Sequence, residues 1–237
     1  FLLWAYGLKM QSEPIPPHRV LLGPGPSNIH PRVLEALAKP MVGYFDPYLL
    51  EVIAETRDIQ RKVFRTSNEF KFPISGTGTA GMEACLCNLI EEGDEVIVGV
   101  NGYFGQRMGE VASRCGGRVI SIEKGWGEAV SKDEVEDALK KSGARIVALV
   151  HGETSTGVLQ PLKEIARVTK EYDALLVVDS VTTLGGCELK IDEWRIDVSF
   201  SCSQKCLNSP PGLSPITVNK RALDRVRARR SKVRSFY

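Results

Sequence analysis

From residue 71 onward, short apolar and β-branched runs alternate with stretches whose apolar positions recur every three or four residues. The runs "KFPIS", "EVIVGV", "RVISIE", "RIVALVHG", "ALLVVDS", "DVSFSCS" and "SPITVN" predict seven strands. Amphipathic stretches at 79–91, 103–115, 131–141 and 161–172 predict helices between most of them. Strands that alternate with helices imply an α/β fold with a largely parallel, covered sheet. Nearly unbroken apolar segments such as "IVALV" and "ALLVV" fit strands buried on both faces. Ahead of them, "PHRVLLGPGPSNIHPRVLEALAKP" is a Pro/Gly-rich loop entering a helix, with Asn28 or a neighbour as cap and Pro31 in the first turn. A long helix is expected over 47–66, and no repeat or low-complexity linker interrupts the chain.

With 43% hydrophobic residues, the 237-residue chain can bury one large core, or a core and part of another domain. Its opening, "FLLWAYGLKM", has about half the roughly 18 apolar residues of a membrane span. It also lacks a basic leader and a small-residue cleavage site, so a cytoplasmic protein with no membrane partner is expected. Met10 reads as a candidate start that leaves 1–9 as an extension. We divide the chain into an N-terminal extension (1–19), a segment carrying the loop and helices (20–70), and a sheet domain (71–237).

Charge and cysteine content narrow the chemistry. The segment "RALDRVRARRSKVR" (221–234) holds seven basic residues and one acid, and without it 24 basic residues face 28 acidic ones. The basic character therefore belongs to one terminal helix, read as a solvated face or one that packs on further sequence rather than a nucleic-acid patch. Cys85, Cys87, Cys115, Cys187, Cys202 and Cys206 form no C-x-x-C pair and are expected as buried reduced thiols. His18, His30 and His151 complete no zinc spacing, so no metal site is expected.

Within "FPISGTGTAGMEA", Gly76, Gly78 and Gly81 have the spacing G-x-G-x-x-G between a predicted strand and a predicted helix, which suits a phosphate at the helix N-terminus. A dinucleotide site also needs an acid at the end of the next strand. That strand ends "VIVGVNGYFG", with Asp94 and Glu95 at its beginning, so an NAD-dependent oxidoreductase is disfavoured. Asp179 ends "ALLVVDS" and Lys205 follows "DVSFSCSQK", which puts both at the carboxyl edge of the sheet where open α/β folds bind ligands. Pyridoxal phosphate needs such groups: a Schiff-base lysine, an acid for the pyridinium nitrogen and a glycine turn for the phosphate. Phe104 is placed to stack on one ring face and Val181 to pack on the other. Singly, each has a plainer reading: the lysine as surface, the acid as a helix cap, the phenylalanine as core. The combination, in this order on one edge, favours the cofactor.

The stretches "LLGPGPSN", "SGTGTAGMEA", "GVNGYFGQR", "HGETSTGVLQPL", "VVDSVTTLGG" and "SQKCLNSPPG" resemble the class V aminotransferases of fold type I, in particular the alanine–glyoxylate and serine–pyruvate aminotransferases. The resemblance covers most of 20–215. It implies a three-layer sandwich around a mostly parallel seven-stranded sheet, with 71–237 as the pyridoxal-phosphate-binding large domain and the C-terminal small domain absent from this chain. By this resemblance Lys205 and Asp179 are catalytic. Gly78, Thr79 and Gln204 bind phosphate, Thr154 reaches the ring's phenolic side, Phe104 stacks, and Gly25 helps close the substrate site. The implied activity is transamination of alanine or serine with glyoxylate or pyruvate in a homodimer. A cysteine desulfurase and a catalytically incompetent fragment are the alternatives. Thr79 stands where some relatives have His, and "GYFDP" at Tyr44 where many have "GHRDP". The missing domain would carry the arginine that clamps the substrate carboxylate.

Overall fold

The structure, a computed structural model, describes residues 17–237. The expected start at Met10 and the extension over 1–9 lie outside the described residues. Two helices come first, α1 (Pro31–Leu37) and α2 (Pro47–Phe64). Then follow β1 (Phe70–Ser75), α3 (Gly78–Leu89), β2 (Glu95–Val100), α4 (Tyr103–Arg114), β3 (Arg118–Glu123), α5 (Lys132–Lys141) and β4 (Ile146–Val150). The two-residue strands β5 (Gly152–Glu153) and β6 (Val158–Leu159) form a separate hairpin. After them come α6 (Lys163–Glu171), β7 (Leu175–Asp179), β8 (Val198–Phe200), β9 (Leu213–Val218) and α7 (Lys220–Arg227).

All seven predicted runs join one sheet in the order β1-β9-β8-β7-β4-β2-β3. Only β9 runs against its neighbours. The two-residue period of a strand sorts side chains between two cores. Ile146, Ala148, Val150 and Val177 pack with Met82, Leu86 and Met108 of α3 and α4. Val147, Leu149, Leu176 and Val178 pack with Val135, Leu139 and Ile165 of α5 and α6. Each fully buried Leu or Val contributes about 1.5–3 kcal/mol, so strands covered on both faces dominate the stability of the domain. The result is the expected three-layer sandwich.

Local caps set the helix bounds. His30 caps α1 by accepting the Arg32 N–H at 3.2 Å on Nδ1, with Pro31 in the first turn. Ser131 and Glu134 form a reciprocal capping box at α5. The Ser131 N–H and hydroxyl and the Lys124 ammonium hold the Glu134 carboxyl down at about 2.

Two expectations are corrected. The basic segment is helical only to Arg227, and it docks on its own domain. Arg221 pairs with Asp197 at 2.8 Å, Arg225 with Asp94 at 2.7 Å, and Arg229 donates to the Ile90 carbonyl at 2.6 Å. These arginines satisfy acids and open carbonyls at the strand and helix ends, a use that composition does not reveal. Likewise, Cys87 and Cys115 are joined by a disulfide because α3 and α4 lie side by side, and Cys187 and Cys206 are exposed. Cys85 and Cys202 are buried thiols. Among the described residues no helix is long and apolar enough to cross a membrane, and no group of three or more His, Cys, Asp or Glu is placed to hold a metal ion.

Candidate active site

The site begins where β1 turns into α3. Gly76 has φ +152°, and a Cβ there would lie 2.5 Å from that of Ala80, so this turn excludes side chains. Thr77 precedes α3 without a side-chain cap bond; its carbonyl accepts the Ala80 N–H at 2.9 Å, and a helix start of this kind suits an anion at the N–H groups of Gly78 and Thr79. A Cβ on Gly78 would sit 2.8 Å from Cγ2 of Val181, and one on Gly81 would sit 2.0 Å from Oγ of Ser214. The three glycines therefore serve a tight turn, a seat for Val181, and the approach of α3 to the sheet. The acid a dinucleotide would need is missing from the carboxyl end of β2. Asp94 is engaged by Arg225, and Glu95 at the start of β2 accepts from Arg118 at 2.9 Å.

Asp179 closes β7, next to β8 in the sheet, and is 3% exposed. Burial pushes its carboxyl up to about 7. The Val181 N–H, donated at 2.8 Å, and Arg107 oppose that shift, while the Glu153 charge adds to it. His151 follows β4. Its N–H donates to the Asp179 carbonyl at 2.9 Å, and Nδ1 lies 2.8 Å from the Thr183 hydroxyl. Burial draws His151 down to about 4, which makes it a neutral spacer at physiological pH. Lys205 lies half-buried beyond β8, and its Nζ donates to the Pro24 carbonyl at 2.7 Å. The N-terminal loop is pinned there by the Ser27 N–H on the Gln204 carbonyl at 3.2 Å. Gly25, at φ +117°, has room for no side chain: its Cβ would lie 2.4 Å from Cδ of Lys205.

Phe104 is half-buried at the start of α4, edge-to-face with Tyr103 at 5.4 Å. The Arg107 guanidinium stands over both rings, at 4.9 Å from Tyr103 and 5.2 Å from Phe104. It donates to the Thr79 hydroxyl at 3.2 Å and to the Tyr103 hydroxyl at 2.9 Å. Thr154 lines a cleft of about 530 Å³ with Gly25, Lys205, Thr182 and Thr183. Gly78, Thr79, Phe104, Asp179 and Gln204 lie outside that lining. Gly78 and Asp179 join each other through Val181, and Thr79 joins Phe104 through Arg107. The Gln204 side-chain oxygen is buried without a partner, and turning the amide would present an N–H donor in its place. A second cavity, about 450 Å³ between β1, β9, α3 and α7, has no Asp, Glu, Lys, Arg or His in its lining and offers no comparable chemistry. Arg107, Glu153 and the Pro24 carbonyl escaped the sequence reading. The first two stand inside quoted motifs, "NGYFGQR" and "HGETSTG", where nothing but spatial contact distinguishes them.

A mostly parallel seven-stranded sheet of this order is the fold of the fold type I transferases. Within them the chain belongs to the class V aminotransferase family, whose model, Aminotransferase class-V, matches residues 20–231. The chain is 43% identical over 220 residues to the (S)-ureidoglycine–glyoxylate transaminase of Bacillus subtilis (strain 168), covering 93% of this chain and 53% of that one. It is 41% identical over 222 residues to the alanine–glyoxylate aminotransferase of Drosophila melanogaster, covering 93% and 56%. The crystal structure of alanine–glyoxylate aminotransferase from Nostoc sp. superposes with a TM-score of 0.93 at 46% identity, over 96% of this chain and 61% of that one. The chain spans about half the length of the curated relatives it matches.

Proposed function

We propose that this chain is the cofactor-holding part of a pyridoxal-phosphate aminotransferase that moves an amino group between alanine or serine and glyoxylate or pyruvate. The observation that carries the reading is a buried Asp179 at the end of β7, its carboxyl pushed up by that burial, on the same sheet edge as Lys205 beyond β8, beside a helix whose start has no side-chain cap. Glyoxylate stands in the names of both curated relatives described above, which favours it as the acceptor.

The residues present fit the cofactor. The start of α3 at Gly78 and Thr79, with the Gln204 amide, would hold the phosphate. Phe104 and Val181 would enclose the ring, and Thr154 would meet its phenolic side. When bound, pyridoxal phosphate supplies an electron sink for charge at the substrate Cα. Asp179 would be the acid partner that keeps the ring nitrogen protonated. Lys205 would anchor the cofactor and carry the proton at the substrate Cα as general base and then acid. Gly25 keeps the loop close to Lys205, so the substrate meets backbone rather than side chain there. The exposed apolar residues of the segment before β1 support a homodimer, and we place the protein in the cytoplasm.

The test is the visible absorbance of the purified chain with pyridoxal phosphate. The wild type is expected to show a band that Lys205→Ala lacks. L-Alanine should remove the band and glyoxylate restore it, and L-serine and (S)-ureidoglycine run in parallel would rank the donors. A band equally strong in Lys205→Ala, or none in the wild type, would overturn the reading.

A further inference from the structure

The N-terminus of α4 presents two of the site's elements, Phe104 and, one turn on, Arg107, yet its cap residue, Gly102, has no side chain to accept a hydrogen bond. The missing cap comes from another part of the chain. Glu153, 1% exposed in the β5–β6 hairpin, accepts the N–H groups of Phe104 at 3.0 Å and Gly105 at 3.1 Å on one carboxylate oxygen. Its other oxygen accepts from Ser155, the N–H at 3.0 Å and the hydroxyl at 2.8 Å. The Ser155 hydroxyl oxygen in turn accepts the Tyr103 N–H at 2.9 Å. Three successive first-turn donors of α4 are thus met from the hairpin, and Thr156 ties the same hairpin to the Asn101 carbonyl at 3.1 Å. Gly102 is part of the arrangement: a Cβ there would fall 2.4 Å from Cγ of Glu153 and 2.5 Å from Oγ of Ser155.

We propose that Glu153 is a positioning residue, acting as a borrowed N-cap that sets where Phe104 and Arg107 meet the cofactor. The argument rests on the reading of this edge as a pyridoxal-phosphate site. A carboxylate is an acceptor on both oxygens, so one side chain can fix the helix start and the hairpin turn together. Moving the helix start would carry the Phe104 ring with it. It would also move the guanidinium that bridges both rings to Thr79 on the neighbouring helix, so two walls of the site depend on one group. Glu153 has an electrostatic effect as well: its charge helps to keep the proton on Asp179, while Arg107 draws the other way.

The test compares Glu153→Gln with Ser131→Ala, a loss of a helix cap at α5. Glutamine keeps the size but turns an N–H2 towards two of the four donors. The readouts are the pyridoxal-phosphate dissociation constant, the circular dichroism of the bound band per unit absorbance, and the melting temperature. For Glu153→Gln the Lys205-dependent band should persist, with affinity about tenfold weaker, the scale of a buried donor left without its acceptor, and reduced dichroism. Ser131→Ala should lower the melting temperature and leave affinity and dichroism as in the wild type. If Glu153→Gln behaves like Ser131→Ala, Glu153 is only a structural cap and the proposal fails. Should Glu153→Gln not fold, Ser155→Ala carries the same comparison: weaker binding and reduced dichroism support the proposal, and wild-type values overturn it. A wild type without any band would overturn the cofactor reading and this proposal with it, whereas a normal wild-type band with an unaffected Glu153→Gln removes this proposal alone.

Discussion

The two halves of the chain bury their apolar residues in opposite ways. In β4 and β7 every residue is buried, and each strand feeds a core on both faces. In the segment before β1, by contrast, Met41 is 95%, Phe45 92% and Leu22 90% exposed, and α2 buries only Gln60 and Phe64. The central strands are covered from within one chain, while the N-terminal segment presents an apolar surface of the kind that marks an interaction face. Yet that segment supplies Pro24 and Gly25 to Lys205. The contrast separates stability from function: the part that adds least to the core reaches directly into the candidate site.

Substitutions in each half put this contrast to measurement. In the sheet half, Gly81→Val must displace Ser214, whose hydroxyl already donates to the Ser201 carbonyl at 2.6 Å. A loss of about 3 kcal/mol is expected, seen as a lower urea midpoint with unchanged slope. A wild-type midpoint would show that α3 does not pack on β9 as described. Asp179→Asn should shift stability the other way. Well below 3.8 the acid is protonated whether folded or not; between its ordinary 3.8 and about 7 the unfolded chain loses the proton and the folded chain keeps it. Stability of the cofactor-free protein therefore falls as pH rises through that window and stays low above it. Asparagine removes this slope and should raise stability near neutral pH by about 2 kcal/mol, roughly half of what 1.4 kcal/mol per pH unit gives, since an amide must also be desolvated. Thermal unfolding near pH 4 and near pH 8 checks this; an equal difference between the two proteins at both would refute it. In the N-terminal segment, Phe45→Ser should leave monomer stability within about 0.5 kcal/mol but weaken self-association in sedimentation. A large fall in melting temperature at a concentration where the wild type is monomeric would show that Phe45 serves the chain's own fold.

What the sequence disclosed follows the range of the forces involved. Strand runs such as "IVALV" and "ALLVV" are set by burial on both faces, a local pattern, and all seven appear in the sheet. Helix starts were legible only approximately: the cap expected at Asn28 or a neighbour falls at His30, two residues past Asn28, because the Asn28 side chain is taken up by Leu21 and Arg19, and the stretch read from 131 begins at the cap Ser131. The cap of α4 was not legible, because it arrives from Glu153, and a single acid in a loop has no signature. The β5–β6 hairpin has strands of two residues, too short for any period to show. The Cys87–Cys115 pair and the docking of Arg221, Arg225 and Arg229 arise from helix packing and charge placement across the fold, which residue counts cannot contain. The glycine motif was legible as a turn before a helix, but its third glycine turned out to answer to Ser214.

The antiparallel strand of the seven-stranded sheet has a consequence for how this protein is made. β9 pairs with β1, Phe70 against Val218 and Ser75 against Leu213, so the first strand of the sheet waits for the last. During synthesis, from the N-terminus onward, the parallel units from β2 to β7 can pack as they emerge, while β1 stays unpaired, with Phe70 and Phe72 on a bare edge. Closing that long loop comes late and slowly. The growing chain thus passes through a stage in which β1 has no strand partner, and its edge lies open until β9 has been made.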